Sequence, residues 1–234
     1  MATIMKHLIL VFCSFLFSGA FSQEDMKHSY LVGAYNISNH STHGISFGVY
    51  NKPDLENSIT NGIRFELVGK GIHTWFVDEY VSLDIDTIQI NKEYSEKING
   101  ISFSFLGVYG DQRINGIHFG GMIGNKFSKN NGLMISGGLN IGDVQNGLSV
   151  ACFGNKYEIQ NGISIGFAGN IAHRANGVHI AVFSNKARFF YGLQFGLLNW
   201  ANSGKLIQIG LLNVIESNPR WCRTLPVFNI RLRK

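Results

Sequence analysis

A short unit that begins with Asn-Gly recurs at an almost fixed interval, and this repeat constrains the fold more than any other feature. The pairs start at Asn99 and continue at intervals of 16, 16, 15, 15, 15 and 15 residues, the last copy reading Tyr191-Gly192. Within the copy at Gly162, the large apolar Ile163, Ile165 and Phe167 alternate with small or polar residues. Period-two alternation is typical of a β-strand with two unlike faces. The repeat therefore predicts an all-β protein built from similar strands.

The two faces of the predicted strands differ in the same way in every copy. From Asn99 onward the central residue of the other face is always small, as at Ser104, Gly120, Ser136, Ala151, Gly166, Ala181, Gly196 and Gly210. Most copies then close on an asparagine. Earlier copies begin at Gly44 and Gly62, so the repeat covers most of the chain.

The regular pattern is interrupted once and ends in a different strand. Residues 70–96 hold six acidic residues and still alternate in part, which predicts an elongated hairpin with a polar exterior. Near the end, Asn218-Pro219 interrupts the repeat, and the alternation of residues from Leu225 to Leu232 predicts a final strand.

Two architectures accommodate such a repeat. The strands can run antiparallel as a meander that closes into a β-barrel of roughly 12–14 strands, each of about 8–11 residues as a membrane barrel requires. They can also stack in parallel as a β-solenoid, with the apolar face as the interior. The unit is nearly palindromic, so it presents similar faces whether a strand runs up or down. This symmetry favours the barrel, and the solenoid remains the alternative.

The N-terminus indicates export. Residues 1–22 have the features of a signal peptide, with an apolar run from Leu8 to Phe17 and a small-x-small cleavage site before Gln23. The remaining residues, 23–234, are predicted to form a single repeat domain. After cleavage two cysteines remain, Cys152 and Cys222, and we expect two free buried thiols rather than a bridge.

The repeated units resemble a family of bacterial surface-repeat proteins. The resemblance covers about residues 30–232 and is carried by copies such as Gly192 to Asn199 and Ile207 to Asn213, and by the ending Leu225 to Leu232. It implies an envelope protein of a Gram-negative bacterium, located in the outer membrane or at the cell surface, with a periplasmic or secreted location as the alternative. It brings no catalytic residues, because the family has no assigned activity.

The polar residues of the chain do not form the pattern of a metal site or a catalytic site. His118 and His179 share a face but lie four repeats apart, about 19 Å in a solenoid, too far for a metal pair, so we expect satisfied polar residues on the wetter face. His40 and His43 lie in a predicted turn, Asn39 to His43, with the short spacing of some metal sites but without a nearby carboxylate or cysteine. The carboxylate pairs of the insertion, Asp84 with Asp86 and Asp78 with Glu79, lack the spacing of a calcium loop. The sequence thus predicts no catalytic residue, no metal site and no cofactor.

The charge distribution bears on partners. The formal charge is +5, and much of it lies in the tail from Arg220 to Lys234, which predicts contact with outer-membrane lipid or lipopolysaccharide rather than nucleic acid. The chain is therefore expected to be a noncatalytic outer-membrane or surface β-repeat protein with a structural or porin-like role. The alternative is a secreted or periplasmic β-solenoid that acts as an adhesion or scaffolding surface through its stacked small face.

Overall fold

The computed structural model describes residues 26–49, 56–71 and 94–232, and its strands form one continuous sheet in chain order. A 3-10 turn at Arg220–Cys222 precedes the last strand. The strands are β1 (Lys27–Ala34), β2 (His40–Gly48), β3 (Ser58–Glu66), β4 (Glu96–Ser104), β5 (Gln112–Gly120), β6 (Gly124–Ser136), β7 (Leu139–Ala151), β8 (Gly154–Gly166), β9 (Gly169–Ala181), β10 (Ser184–Phe195), β11 (Leu198–Ile215) and β12 (Thr224–Arg231). The all-β prediction is confirmed.

Neighbouring strands pair in parallel from β1 to β11, so the chain is a β-solenoid. Equivalent residues of consecutive copies lie opposite each other, as Asn155 with Asn170 and Gly162 with Gly177. The predicted antiparallel meander closing into a barrel of 12–14 strands is therefore wrong, and the parallel solenoid is confirmed. The physical reason lies in the bends inside each strand: β8 has 13 residues and turns at Gly162, which has a positive φ. One copy of the repeat therefore closes a coil, and β9 starts in the same direction after only Phe167 and Ala168.

Each regular coil bends at three places. The first is a glycine with positive φ in the middle of the strand, such as Gly162 at +119°, which we call the corner glycine. The second is a residue left out of the pairing, such as Glu158, and the third is the two-residue bend between strands. Extended residues rise by about 3.3 Å each, so without these bends a 13-residue strand would run for roughly 43 Å in one direction.

The small and polar face of the repeat forms the interior. The second residue after the corner is buried in every coil from β2 to β11, including Ser46, Arg64, Met134, Ser149 and Ser164. The apolar residues on either side of it point outward. The expectation that a solenoid would bury its apolar face is therefore also wrong, and so is the expectation that its small face would be a binding surface. The coil closes tightly on the small side, where a Cβ at Gly166 would lie 2.5 Å from the carbonyl oxygen of Gly169.

Apolar packing inside the solenoid comes from a different part of the coil. Phe127 and Tyr157 occupy the same row two coils apart and are both buried. Gly142 occupies that row in the coil between them, so that each ring has room. Buried alanines, Ala172, Ala187 and Ala201, continue the same row toward the C-terminus.

The C-terminal strand reverses direction. β12 pairs antiparallel with β11, with Ile207 opposite Ile230 and Ile209 opposite Phe228, which confirms the predicted last strand. Most of the predicted acidic hairpin, 72–93, and the whole predicted signal peptide lie outside the described residues.

Candidate functional site

The two candidate metal-binding histidines, His118 and His179, lie inside the solenoid on separate coils. His118 is on β5 and His179 is on β9, and both are buried rather than on a wet face. Nε2 of His118 lies 3.1 Å from Oδ1 of Asn125, and Nε2 of His179 lies 2.9 Å from Oε1 of Gln160. Burial lowers the pKa of each imidazole to about 3, so both are neutral near pH 7. They act as hydrogen-bonding core residues.

His40 and His43 lie on β2 rather than in a turn. Nε2 of His40 is 2.9 Å from Oγ of Ser29, whereas Nε2 of His43 is 3.4 Å from Nδ1 of His28. Burial, followed by the charges of His28 and Lys27, lowers the pKa of His40. In the part of the chain that the structure describes, no group of three or more His, Cys, Asp or Glu side chains is arranged to hold a metal ion.

The acidic pairs of the insertion and the basic C-terminal tail are the remaining candidate sites. Asp78, Glu79, Asp84 and Asp86 are outside the described residues. In the basic tail, Arg223 lies 3.6 Å from Glu216, and Nη1 of Arg231 donates to the carbonyl of Ser217 at 2.7 Å.

The two cysteines, Cys152 and Cys222, are free, as expected. The expectation that both are buried is wrong, because Cys152 is exposed and Cys222 is half-buried. Cys152 follows the small residue Ala151 and therefore points outward, whereas the sequence pattern suggested an apolar interior.

A buried charged cluster occupies the N-terminal coils, and sequence reasoning missed it. Arg64 donates to both carboxylate oxygens of Glu96, from Nε at 2.6 Å and from Nη2 at 3.1 Å, and Nη2 lies 3.4 Å from Glu66. Tyr35 and Ser104 donate to Glu66 at 3.1 and 2.6 Å. The signal in the sequence was Glu66, which stands at a position that is small in the other copies, together with Arg64 two residues before it, where the other copies carry Ser, His, Met or Gln.

The cluster is structural. Its charged side chains are 0% exposed, so a substrate in solution does not reach them. Burial raises the pKa of Glu96 to about 6, against the attraction of Arg64. Burial alone would lower the pKa of Arg64, but the attraction of Glu96 and Glu66 raises it above its ordinary value and keeps the guanidinium charged. Removing one partner of such a pair leaves an uncompensated buried charge, so the cluster ties β3 to β4.

Two ladders of asparagine run along the solenoid. In the outer ladder, just before the corner, each side chain donates to that of the preceding coil at 2.7–3.1 Å: Asn61, Asn99, Asn115, Asn131, Asn146, Asn161 and Asn176. In the inner ladder each side chain donates to that of the following coil at 2.8–3.1 Å: Asn125, Asn140, Asn155, Asn170, Asn185, Asn199 and Asn213. The ladders hold consecutive coils in register.

One outer side of the solenoid is covered by apolar side chains. We call it the apolar face, and it consists of the outward residues at the first, third and fifth positions after the corner position in β2–β11. In β11 this position is Leu206, which pairs with Gly192. Its first row is Ile45, Ile63, Ile101, Ile117, Leu133, Leu148, Ile163, Val178, Leu193 and Ile207, and its second is Phe47, Phe65, Phe103, Phe119, Ile135, Val150, Ile165, Ile180, Phe195 and Ile209. Its third row, at the bend, contains Val49, Leu67, Phe105, Cys152, Phe167, Val182, Leu197 and Leu211, with glycine at 121 and 137.

The apolar face is exposed and carries no charge. None of its residues is buried, and Phe167 and Leu211 are 57% and 68% exposed. Outward charged residues lie on other sides of the coils, as Lys156 and Lys186 do in the row that also contains Ile171. In the N-terminal half, the rings of Phe47, Phe65, Phe103 and Phe119 stack with centroids 5.1–5.4 Å apart.

Neither membrane-spanning helices nor similarity to known proteins identifies the function of the chain. Within the described ranges, no helix is long and apolar enough to cross a membrane. No protein-family model, no curated protein and no solved structure matches the chain.

Proposed function

We propose that this chain is a noncatalytic binding scaffold of the cell surface or periplasm, and that the apolar face is the surface on which it holds a partner. The size of that face carries the proposal. Strands about 4.8 Å apart, each contributing five residues of about 3.3 Å, give ten strands a face of about 50 by 16 Å, or roughly 800 Å². The largest apolar patch of an ordinary monomer is about 300–600 Å², and larger ones mark interaction sites.

The construction of the solenoid supports the same function. The corner glycines, the two asparagine ladders and the buried cluster all lie beneath or beside the face and hold its rows in register. Repeat proteins of this kind present extended surfaces whose area grows with the number of coils. The export predicted from residues 1–22 and the resemblance to surface-repeat proteins favour a location outside the cytoplasm.

The proposal is tested by photo-crosslinking in the cells that make the protein. A photoreactive phenylalanine analogue is placed at Phe167, on the apolar face, and in a separate variant at Phe189, which points outward from another side of the solenoid. We expect covalent adducts with another macromolecule from position 167 and few or none from position 189. A third variant carries the analogue at Phe119, also on the apolar face. Equal adduct yields from positions 167 and 189, or no adducts from either Phe167 or Phe119, would contradict the proposal.

A second candidate partner is the anionic head group of lipopolysaccharide, at the C-terminal end. Trp221 is 83% exposed in the 3-10 turn and lies between the cations Arg220 and Arg223. An exposed tryptophan among cations is typical of surfaces that contact membrane interfaces. We expect Trp221→Phe to remove a blue shift of tryptophan emission on adding lipopolysaccharide. An unchanged shift in that variant would place the contact elsewhere.

A further inference from the structure

We propose that the partner held by the apolar face is a second copy of this chain, packed face to face as a two-fold symmetric dimer. This inference rests on the proposed function, because it assumes that the apolar face is a binding surface.

The area of the face matches what a stable dimer needs. A standard protein interface buries about 800 Å² on each partner, which is the estimated size of the apolar face. Homodimer interfaces are also more apolar than other interfaces, and two aligned sheets pack face to face at about 10 Å. β12 extends the surface further, because Phe228 and Ile230 lie beside Ile209 and Ile207.

The chemistry of the face favours another sheet over a lipid surface. Proteins that lie on membranes usually combine apolar residues with Trp, Tyr, Lys or Arg near the head groups. The three rows of the face contain none of these four residue types in the coils from β2 to β11. Two copies of a charge-free surface also meet without electrostatic repulsion.

The shapes of the two halves of the face complement each other. The second row carries phenylalanine from β2 to β5 and branched aliphatic residues from β6 to β9. A two-fold axis parallel to the strands and passing between β6 and β7 sets β4 opposite β9, and β5 opposite β8. Phe103 of one copy then packs on Ile180 of the other, and Phe119 on Ile165, so large flat rings meet smaller side chains at these strands. At β3 and β10, Phe65 meets Phe195.

The same axis makes Cys152 a reporter. Cys152 lies in the third row at the end of β7, one of the two strands nearest the axis. The two copies of Cys152 therefore lie about one coil apart, roughly 5 Å along the solenoid, on facing sheets. Cys222 lies far from the axis in the C-terminal turn and serves as the internal control.

The experiment compares the natural protein with two matched variants by light scattering. Ile165→Glu places a charge in the centre of the face, whereas Ile171→Glu places the same charge outward between Lys156 and Lys186 on another side. We expect a mass near twice that of the chain for the natural protein and for Ile171→Glu, and a roughly twofold lower mass for Ile165→Glu. Circular dichroism checks that each variant is folded.

Cross-linking decides the question even if Ile165→Glu fails to fold. Under reducing conditions a short bismaleimide should trap a dimer of the natural protein and of Cys222→Ser, but not of Cys152→Ser. A dimer trapped equally well without Cys152, or a dimer unaffected by Ile165→Glu, would overturn the face-to-face arrangement.

A monomer separates the two proposals. If the natural protein is monomeric but sediments with phosphatidylcholine vesicles and Ile165→Glu does not, the face binds lipid: the dimer is overturned and the binding scaffold survives. If the natural protein is monomeric, does not sediment with vesicles and gives no adducts from Phe167, both the dimer and the binding scaffold are overturned.

Discussion

At the scale of single residues, the corner glycine is the position that tolerates least change. Gly162 has φ of +119°, a conformation that residues with a side chain rarely adopt. A Cβ at this position would lie 2.1 Å from the carbonyl oxygen of Gly147 in the coil below. Since the same geometry recurs up the stack, each corner glycine is required both by its own backbone and by its neighbour.

We therefore expect Gly162→Ala to destabilise the protein by at least about 2 kcal/mol, because it combines strain of a left-handed backbone with a backbone clash. Gly137→Ala is the control. Gly137 is an exposed bend residue where a Cβ would lie 3.2 Å from the carbonyl oxygen of Gly121 and from Cα of Met122, a tight contact rather than an overlap. We expect a smaller loss there, of about 1 kcal/mol or less. Urea denaturation measures both. Equal losses would show that the corner conformation is not what selects glycine.

The two buried histidines give the protein a defined response to acid. Burial lowers the pKa of His118 and His179 from 6.5 to about 3, so below pH 6.5 the unfolded chain binds protons that the folded chain does not. Stability should therefore fall with falling pH below 6.5, by up to about 1.4 kcal/mol per unit for each histidine. Burial raises the pKa of Glu96 from 4.5 to about 6, so between these pH values the folded chain binds this proton more tightly than the unfolded chain. Glu96 therefore opposes the effect of the histidines only in that range.

The variant His179→Gln should lose about half of this histidine effect. Glutamine already occupies the same row at Gln194 in the next coil, so the replacement suits the interior. The measurement is the difference in free energy of unfolding between pH 7 and pH 5. A variant with the same pH dependence as the natural protein would contradict the assignment of the acid response to His179.

At the scale of elements, the two asparagine ladders look alike in sequence but differ in environment. Asn155, in the inner ladder, is buried; it donates to Oδ1 of Asn170 and to the carbonyl of Ile165, both at 2.8 Å. It also accepts from Ser149 at 2.6 Å. Asn161, in the outer ladder, is half-buried at the corner, where water can replace a lost partner.

The same substitution in the two ladders should therefore have different costs. We expect Asn155→Leu to destabilise by about 3 kcal/mol, because it leaves buried polar groups without partners, and Asn161→Leu by about 1 kcal/mol or less. Thermal or urea unfolding of the two variants provides the comparison. A larger loss from Asn161→Leu would mean that the outer ladder, rather than the inner one, holds the coils together.

The elements show how far the sequence leads. The strands, their repeat and the two unlike faces could be predicted, because period-two alternation is local. The direction of pairing could not, because Ile163, Ile165 and Phe167 alternate in the same way in a parallel and in an antiparallel sheet. The palindromic unit, which favoured the barrel, instead reflects glycine at the corner and small residues inside a narrow coil. The apolar face was visible in the sequence as rows, but its exposure depends on which side the coil closes around.

At the scale of the whole molecule, the solenoid is a one-dimensional stack. Each strand pairs only with its neighbours in the chain, so each coil rests on the one before and the one after. Stability in such a protein is approximately the sum of coil stabilities and the interfaces between neighbouring coils. The length of the apolar face, and with it the area available to a partner, follows directly from the number of coils.

Removal of one whole coil should therefore leave a folded protein. Deleting 154–168 joins Phe153 to Gly169 and keeps every corner glycine above another, since Gly147 then meets Gly177. Deleting ten residues, 154–163, shifts the register and drives outward apolar residues toward the polar interior. We expect cooperative thermal unfolding and a β-type circular dichroism spectrum for the first variant only. Equal behaviour of the two deletions would argue against stacking in register.

The asparagine and glycine at each corner also bear on the chemical ageing of the protein. In a free chain, the backbone nitrogen of glycine readily attacks the side-chain carbonyl of a preceding asparagine and expels ammonia. The product is a cyclic imide, which water then opens to aspartate or isoaspartate. In the solenoid the Asn161 amide is held by Asn146 and Asn176, so ring closure requires its coil to open. Conversion to aspartate would set negative charges one above another and prevent the stack from closing again. The pattern of acidic corners in an aged sample should therefore record which coils open most often.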